Sequence, residues 1–239
     1  MNRMKTYYLS FFILLAPLVF FGQQKKDIKP ILEKVTSFYD TTSRYNVAIK
    51  QTLLRGKTGN NISESYSGKF TKDKSYSKLE LLNSEVVEFS NVRLIIDHDS
   101  KAIEYNKTSK GVSAPIDISG FLKHYEGSSL KSTEKQWICE LNVKPSAAFV
   151  PCNKILLYIN KDYHFVEKQV LFLSRELPFK TKGGKTEEDF GRLEISFTHD
   201  LTMSDKVNDK VSNYIQGSGS NMTSVKKYKG YKVVNLSNK

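Results

Sequence analysis

The chain has 239 residues, 39% hydrophobic and 12% aromatic, with 37 Lys and Arg against 25 Asp and Glu and a formal net charge of +12. That length suits one large β domain with a substantial core. The lysines are spread along nearly every predicted strand rather than clustered on one helix. This argues against nucleic acid as a partner and leaves a solvated face, or attraction to anionic lipid headgroups or an acidic partner.

Residues 1–23 read as a targeting segment. Arg3 and Lys5 form a basic start, Leu9 to Phe21 an apolar run, and Gly22-Gln23 the polar boundary. The apolar run is thirteen residues, short of the ~20 that span a bilayer as a helix. No cysteine stands near it to carry a lipid. Cleavage is therefore expected to release a soluble, exported chain from 24 to 239, with a net charge of +10 once Arg3 and Lys5 are lost.

Asp27 then caps a helix with Pro30 in its first turn, and Ile28, Ile31, Leu32, Val35, Phe38 and Tyr39 form its apolar stripe over 28–39. Tyr45 to Leu54 alternates as a strand, and Gly56 to Asn61 is a loop. From Ser63 to Asn106 the chain reads as five short strands, each with apolar residues at i, i+2: Tyr66/Phe70, Leu79/Leu81, Val87/Phe89, Val92/Leu94/Ile96 and Ile103/Tyr105. Their connections are short enough only for antiparallel neighbours, so this stretch predicts a meander presenting one continuous apolar wall.

After a loop over Lys107 to Pro115, residues 116–125 predict a short helix with Ile118, Phe121, Leu122 and Tyr125 along one side. Gln136 to Val143 is a strand with Trp137, Cys139, Leu141 and Val143 on one face. Ile155 to Ile159 and Phe165 to Leu173 form a hairpin around Asn160-Lys161-Asp162. Pro178 to Asp189 reads as a polar loop, and Arg192 to Phe197 as a strand. From Asp205 the periodicity weakens. Gln216 to Asn221 is linker-like, and Tyr231 to Leu236 is a last strand. So much antiparallel strand with two short helices predicts a mainly β (α+β) fold: a strongly curved sheet or incomplete β-barrel, its inner face partly covered by the helices and otherwise filled by core or by a hydrophobic cavity.

Cys139 and Cys152 lie on two apolar strands flanking Pro145. In an oxidising compartment such a pair predicts one disulfide, worth roughly 3 kcal/mol in the chain-entropy picture. No His or further Cys has ligand spacing to them, so no metal site is expected. The chain lacks GxSxG, HExxH and CxxC patterns, and no enzyme activity or cofactor is expected. Lys182-Gly183-Gly184-Lys185-Thr186 imitates the end of a phosphate-binding loop, but Phe179 stands where its first glycine belongs. Asp97-His98-Asp99 sits at a strand break, where Asp serves the turn, and adjacent strand residues point to opposite faces.

The order of elements resembles the LolA/LolB family of outer-membrane lipoprotein carriers. The resemblance runs over about 28–200. It rests on the opening helix and first strand, Tyr66-Ser67-Gly68-Lys69-Phe70, the run from Phe89 to Asp97 with Tyr105-Asn106, Ser119-Gly120-Phe121-Leu122, and Cys139 to Pro145. It leaves 201–239 as a C-terminal extension. It implies an eleven-stranded open barrel closed by helices, a periplasmic location, and cargo received from an inner-membrane ABC transporter and passed to an outer-membrane acceptor. On that reading lipoprotein acyl chains, or another lipid, lie against Tyr66, Phe70, Leu79, Leu81, Val87, Phe89, Leu94, Ile96, Phe121, Leu122 and Leu141. The family's lid-holding arginine falls on the run 72–75, where Lys74 is the candidate latch. A monomer with transient membrane contact is implied. A binding module for another apolar ligand, or an assembly protein with a packed core, are the alternatives.

Overall fold

The computed structural model describes residues 27–108, 112–147, 149–181, 183–203 and 206–237. The expected targeting segment and Lys182 lie outside them. Two α-helices, α1 (Lys29–Thr41) and α2 (Ile118–His124), accompany fourteen strands. These are β1 (Arg44–Arg55), β2 (Asn61–Asp73), β3 (Tyr76–Leu81), β4 (Ser84–Glu88), β5 (Val92–Asp97), β6 (Ala102–Lys107), β7 (Tyr125–Ser132), β8 (Gln136–Val143), β9 (Cys152–Asn160), β10 (Val166–Lys180), β11 (Thr186–Asp200), β12 (Ile215–Gln216), β13 (Thr223–Ser224) and β14 (Lys232–Asn235). Twelve of them form one sheet in the order β14-β6-β5-β4-β3-β2-β1-β11-β10-β9-β8-β7, and β12 pairs with β13 alone. Every neighbour in the large sheet is antiparallel except β14, which runs parallel to β6. The sheet is curved and mainly β, and it does not close: an incomplete barrel, as expected.

Helix α1 forms where its stripe predicts. Pro30 occupies its first turn and Ile31, Leu32, Val35 and Tyr39 are buried beneath it. It lies across one face of the sheet. At its start Ile28 sits on Gly127 of β7, where a Cβ would come within 2.6 Å of the Ile28 side chain. Midway, Lys34 Nζ is 5.7 Å from the Trp137 ring of β8. At its end Phe38 and Tyr39 pack on Tyr45, with Phe38 also against Phe165 of the β9–β10 connection. Only glycine at 127 lets the helix come down this close to the strand. This helix face carries a core of Val47, Ile49, Phe70, Leu141, Ile155, Leu157 and their neighbours.

The meander does not present one wall. Leu79 pairs with Val86, Val86 with Ile95, and Ile95 with Glu104. Paired residues share a face, so the helix face continues through Phe70, Leu79 and Val86. Val87, Phe89, Leu94 and Ile96, expected on the same wall, fall on the opposite face with Ile103 and Tyr105. The cause is the two-residue turn at Leu82-Asn83, which pairs Leu81 with Ser84 and so couples odd positions to even ones.

The second apolar face is covered by the C-terminal segment, whose Tyr214, Ile215 and Tyr228 are buried against it. Within the stretch expected to be a linker, Gln216 to Gly219 and Asn221 are exposed, and the residues on either side of it cap this face. A polar pair holds the contact. Glu85, buried, accepts from Tyr228 Oη at 2.8 Å and lies 2.9 Å from Lys78 Nζ. Those bonds and charges hold its carboxyl at about 2 against the desolvation that opposes them. Asp209 accepts from Tyr76 Oη at 3.2 Å and from Tyr214 Oη.

Two further expectations change. Pro178 to Asp189 is not a loop: β10 and β11 extend through it as a hairpin, with Pro178 opposite Glu188. Beyond Leu173, β10 has no β9 residue beside it, so the missing Pro178 N–H can fall on the open side. The Cys139–Cys152 disulfide is absent, and both cysteines are buried free thiols. Cys139 pairs with Leu157, five residues past Cys152 on β9. At ~3.3 Å per residue the two α-carbons are separated along the ladder by far more than the ~7 Å a disulfide spans. Burial raises the Cys139 thiol to about 12. We expect two titratable thiols in denaturant and neither in native buffer on the same timescale; a thiol-free denatured chain would refute the register.

Candidate ligand-binding cavity

The helix face is open between α1 and strands β3–β5, and the segment from Val112 to Asp117 lies in that opening. Ile116 and Ile118 anchor the segment in the core, both buried. Asp117 Oδ1 accepts from Gly120 N at 2.7 Å and starts α2. The other anchor is polar. Glu88 of β4, 4% exposed, accepts from Ser113 N at 2.6 Å and from Ser113 Oγ at 3.0 Å. Ser77 Oγ of β3 donates to the same carboxylate at 3.3 Å, and Arg93 Nε of β5 is 3.6 Å away.

Two cavities flank this clasp. An apolar one of ≈ 140 Å³ is lined by Phe70, Leu79, Val86, Ala114 and Pro115, with Ser77, Glu88, Arg93 and Ser113 at its rim. A more polar one of ≈ 550 Å³ lies beside it, between Thr36, Tyr39 and Asp40 of α1 and the stretch from Val112 to Gly120, with Lys123 and again Arg93. The larger has the size of a small-molecule site. The smaller would admit a benzene-sized group, and a longer chain only if the 112–117 segment moved.

Of the eleven expected lining residues, Phe70 and Leu79 stand on the apolar cavity wall. Leu81 shares their face at the far end of β3, and Leu141 is fully buried in the core. Tyr66 faces the same way but lies beyond the helices, exposed, with its hydroxyl on Glu64. Phe121 packs half-buried on the core while Leu122 points outward. Val87, Phe89, Leu94 and Ile96 lie across the sheet, under the C-terminal segment, and cannot reach either cavity. The sequence reading missed Val86, Glu88, Arg93, Ser113 and Pro115. An acid alternating with apolar residues in β4 was the available signal for Glu88.

Lys74, the candidate latch, sits exposed in the β2–β3 turn at φ 55°. The lysine that reaches the helix is Lys72, whose Nζ donates to Tyr39 O at the end of α1 and lies 5.6 Å from the Tyr45 ring. A cation there also meets the negative end of the helix dipole. Burial lowers its pKa, partly offset by Asp40.

Beside it Tyr39 Oη is 3.1 Å from His199 Nε2, and the imidazole stacks on Phe165 with centroids 4.0 Å apart. Burial lowers His199 to about 4. The unfolded chain, with a His near 6.5, therefore binds more protons between pH 6.5 and 4. Stability is expected to fall by roughly 2–3 kcal/mol over that window as the pH drops, and no further below it. Melting curves across it should slope in the wild type and flatten in His199→Gln; equal slopes would discard the assignment.

Among the described residues no group of acids, histidines and cysteines could hold a metal ion, and no helix is long and apolar enough to cross a membrane. No family profile matches the sequence, and no curated protein does. Solved structures similar to it include an uncharacterized conserved protein from Thermus thermophilus, 11% identical, with 87% of this chain and 98% of that one covered at a TM-score of 0.46. A DUF1329 family protein from Desulfovibrio piger is 10% identical over 75% of this chain and 95% of its own, at 0.36. A LolA superfamily protein from Nitrosomonas europaea is similar at 10% identity, covering 74% of this chain and 94% of that one, with a TM-score of 0.32.

Proposed function

We propose that this chain is an exported, non-enzymatic carrier that takes the acyl chain of a lipoprotein or another lipid beneath the 112–117 segment and α2. One observation carries the reading. An apolar cavity and a polar one meet at the same three residues, Arg93, Ser113 and Ala114, so an amphiphile can place its tail and its head in adjoining spaces. Each methylene withdrawn from water contributes about 0.8 kcal/mol, so one chain binds well without a specific polar contact. Release then needs an equally apolar receiver and a segment able to lift. The cargo's class as an acyl chain comes from the LolA/LolB resemblance of the sequence, and an inner-membrane transporter and outer-membrane acceptor belong to the same proposal.

Solvent extraction and mass analysis of protein purified from its own host test it. The wild type should carry a stoichiometric lipid. Val86→Trp, which fills the apolar cavity, should carry none while melting normally. A wild type that yields no lipid and binds no hydrophobic fluorophore would leave a packed-core assembly protein as the better account.

A further inference from the structure

Phe149 is 93% exposed, and its φ of 54° is a left-handed conformation that costs a bulky side chain. Yet its surroundings are held. Ser174 N donates to Pro151 O at 3.0 Å and Ser174 Oγ to Val150 O at 2.7 Å, fixing the β8–β9 connection on β10. The ring stands at the lip of an apolar hollow of ≈ 370 Å³ formed by Phe149, Val150, Pro151, Leu173 and Leu177 with Ser174 and Arg175. An aromatic presented outward from a tethered loop, over an apolar hollow, is aimed at something that is not water.

The charge at this end indicates what. Lys144 N donates to His124 O at 2.9 Å and its Nζ to Leu122 O at 2.6 Å, which joins the loop to the C-terminal end of α2. Arg175 lines the hollow with Phe149. Lys144 begins the same connection beside Lys123, and Lys154 follows it on β9 with its Nζ over the Phe172 ring. The acids on the adjoining strand segments are Glu126, Glu140 and Glu176, with Asp189 opposite Leu177 already paired with Arg55. Leu122, 36% exposed, adds a second apolar group. An outward aromatic with an arginine beside it, on a chain of net charge +12, matches the interface of an anionic bilayer, where rings sit at headgroup level and cations meet lipid phosphates.

We propose that Phe149, with the hollow behind it, Arg175 on its wall and lysines on the flanking segments, is a membrane-docking tip for an anionic lipid surface. The tip does not depend on the carrier reading, because it lies outside both cavities. It adds where the protein touches a bilayer: at the end that carries α2.

Flotation of the exported chain with vesicles of phosphatidylcholine alone, or with one part phosphatidylglycerol in three, tests this. The chain should float with the anionic vesicles and hardly with the neutral ones, and raising the salt should weaken the binding. Phe149→Ser should reduce the partition about tenfold, and Arg175→Ala by a smaller factor. Phe149→Trp should bind like the wild type and shift its emission to the blue. Since residue 149 is exposed, its variants should melt as the wild type does. Absence of flotation with anionic vesicles overturns the proposal, a protein partner for the tip then being the remaining occupant. Equal flotation of wild type and Phe149→Ser overturns it as well.

Discussion

A chain ending at Met203 is expected to lose cooperative folding altogether. The segment beyond it supplies Tyr214, Ile215 and Tyr228, which cover Val87, Leu94, Ile96 and Ile103, all of them fully buried. Burial of such a side chain contributes about 1.5–3 kcal/mol, so uncovering this group costs on the order of 10 kcal/mol. That equals the whole stability of an ordinary domain, about 5–15 kcal/mol. The truncation also strips Glu85 of Tyr228 and Lys227, and Asp73 of the Val207 N–H at 2.8 Å. Denaturant melts of the two chains decide the matter. A truncated chain with the parent's midpoint and slope would mean the second apolar face needs no cover. Tyr228→Ala gives a graded version, with an expected loss of about 3–5 kcal/mol.

The second large effect is expected from Glu88→Ala, and it is a loss of closure rather than of fold. The carboxylate joins partners on two neighbouring strands, Ser77 and Arg93, to Ser113 of the covering segment. Without it the Ser113 N–H and the Arg93 guanidinium lose a charged acceptor, at about 1.5–3 kcal/mol for such a bond. Ser113 is exposed, so water recovers part of this and the net cost should be about 2 kcal/mol. Ile116 and Ile118 still anchor the segment, which should therefore open often without detaching. Hydrogen exchange should speed up from Val112 to His124 and nowhere in β8–β10, and a hydrophobic fluorophore should enter faster. Glu88→Gln, which keeps an acceptor, should lie between. A uniform rise in exchange over the whole sheet would make Glu88 a core residue and not a clasp.

Much of the architecture is legible in the sequence because period alone fixes it. The stripe of α1, the alternation of β1 and the β9–β10 hairpin each need no knowledge of a neighbour. The faces are another matter. Whether Val87 lies beside Leu79 depends on the two residues of the Leu82-Asn83 turn, and i, i+2 spacing within a strand is blind to that. Four of the eleven expected wall residues, Val87, Phe89, Leu94 and Ile96, fall on the other face for this reason. Pro178 and Gly183-Gly184 spell a loop in composition, whereas a hairpin needs only that the missing N–H fall on an open side. Gln216 to Asn221 reads as linker for the same compositional reason, although Tyr214, Tyr228 and Tyr231 around it are the lid of the second core. The cysteine pair failed on register, which spacing in the chain does not supply.

The position of β1 in the sheet governs how the molecule can be assembled in time. It stands between β2, its successor in the chain, and β11, which ends at Asp200. A chain emerging from its N-terminus first can build β1 to β6 by local hairpins, and β7 to β11 likewise. The seam between the two halves closes only when residues near 200 arrive, and the second face only after Tyr228. Until then the edge of β1 is a long unpaired strand, the kind of surface that recruits other chains. Such distant pairing makes folding slow. A nascent copy is thus exposed for nearly its whole synthesis, and holding chaperones should matter more to its yield than its final stability does.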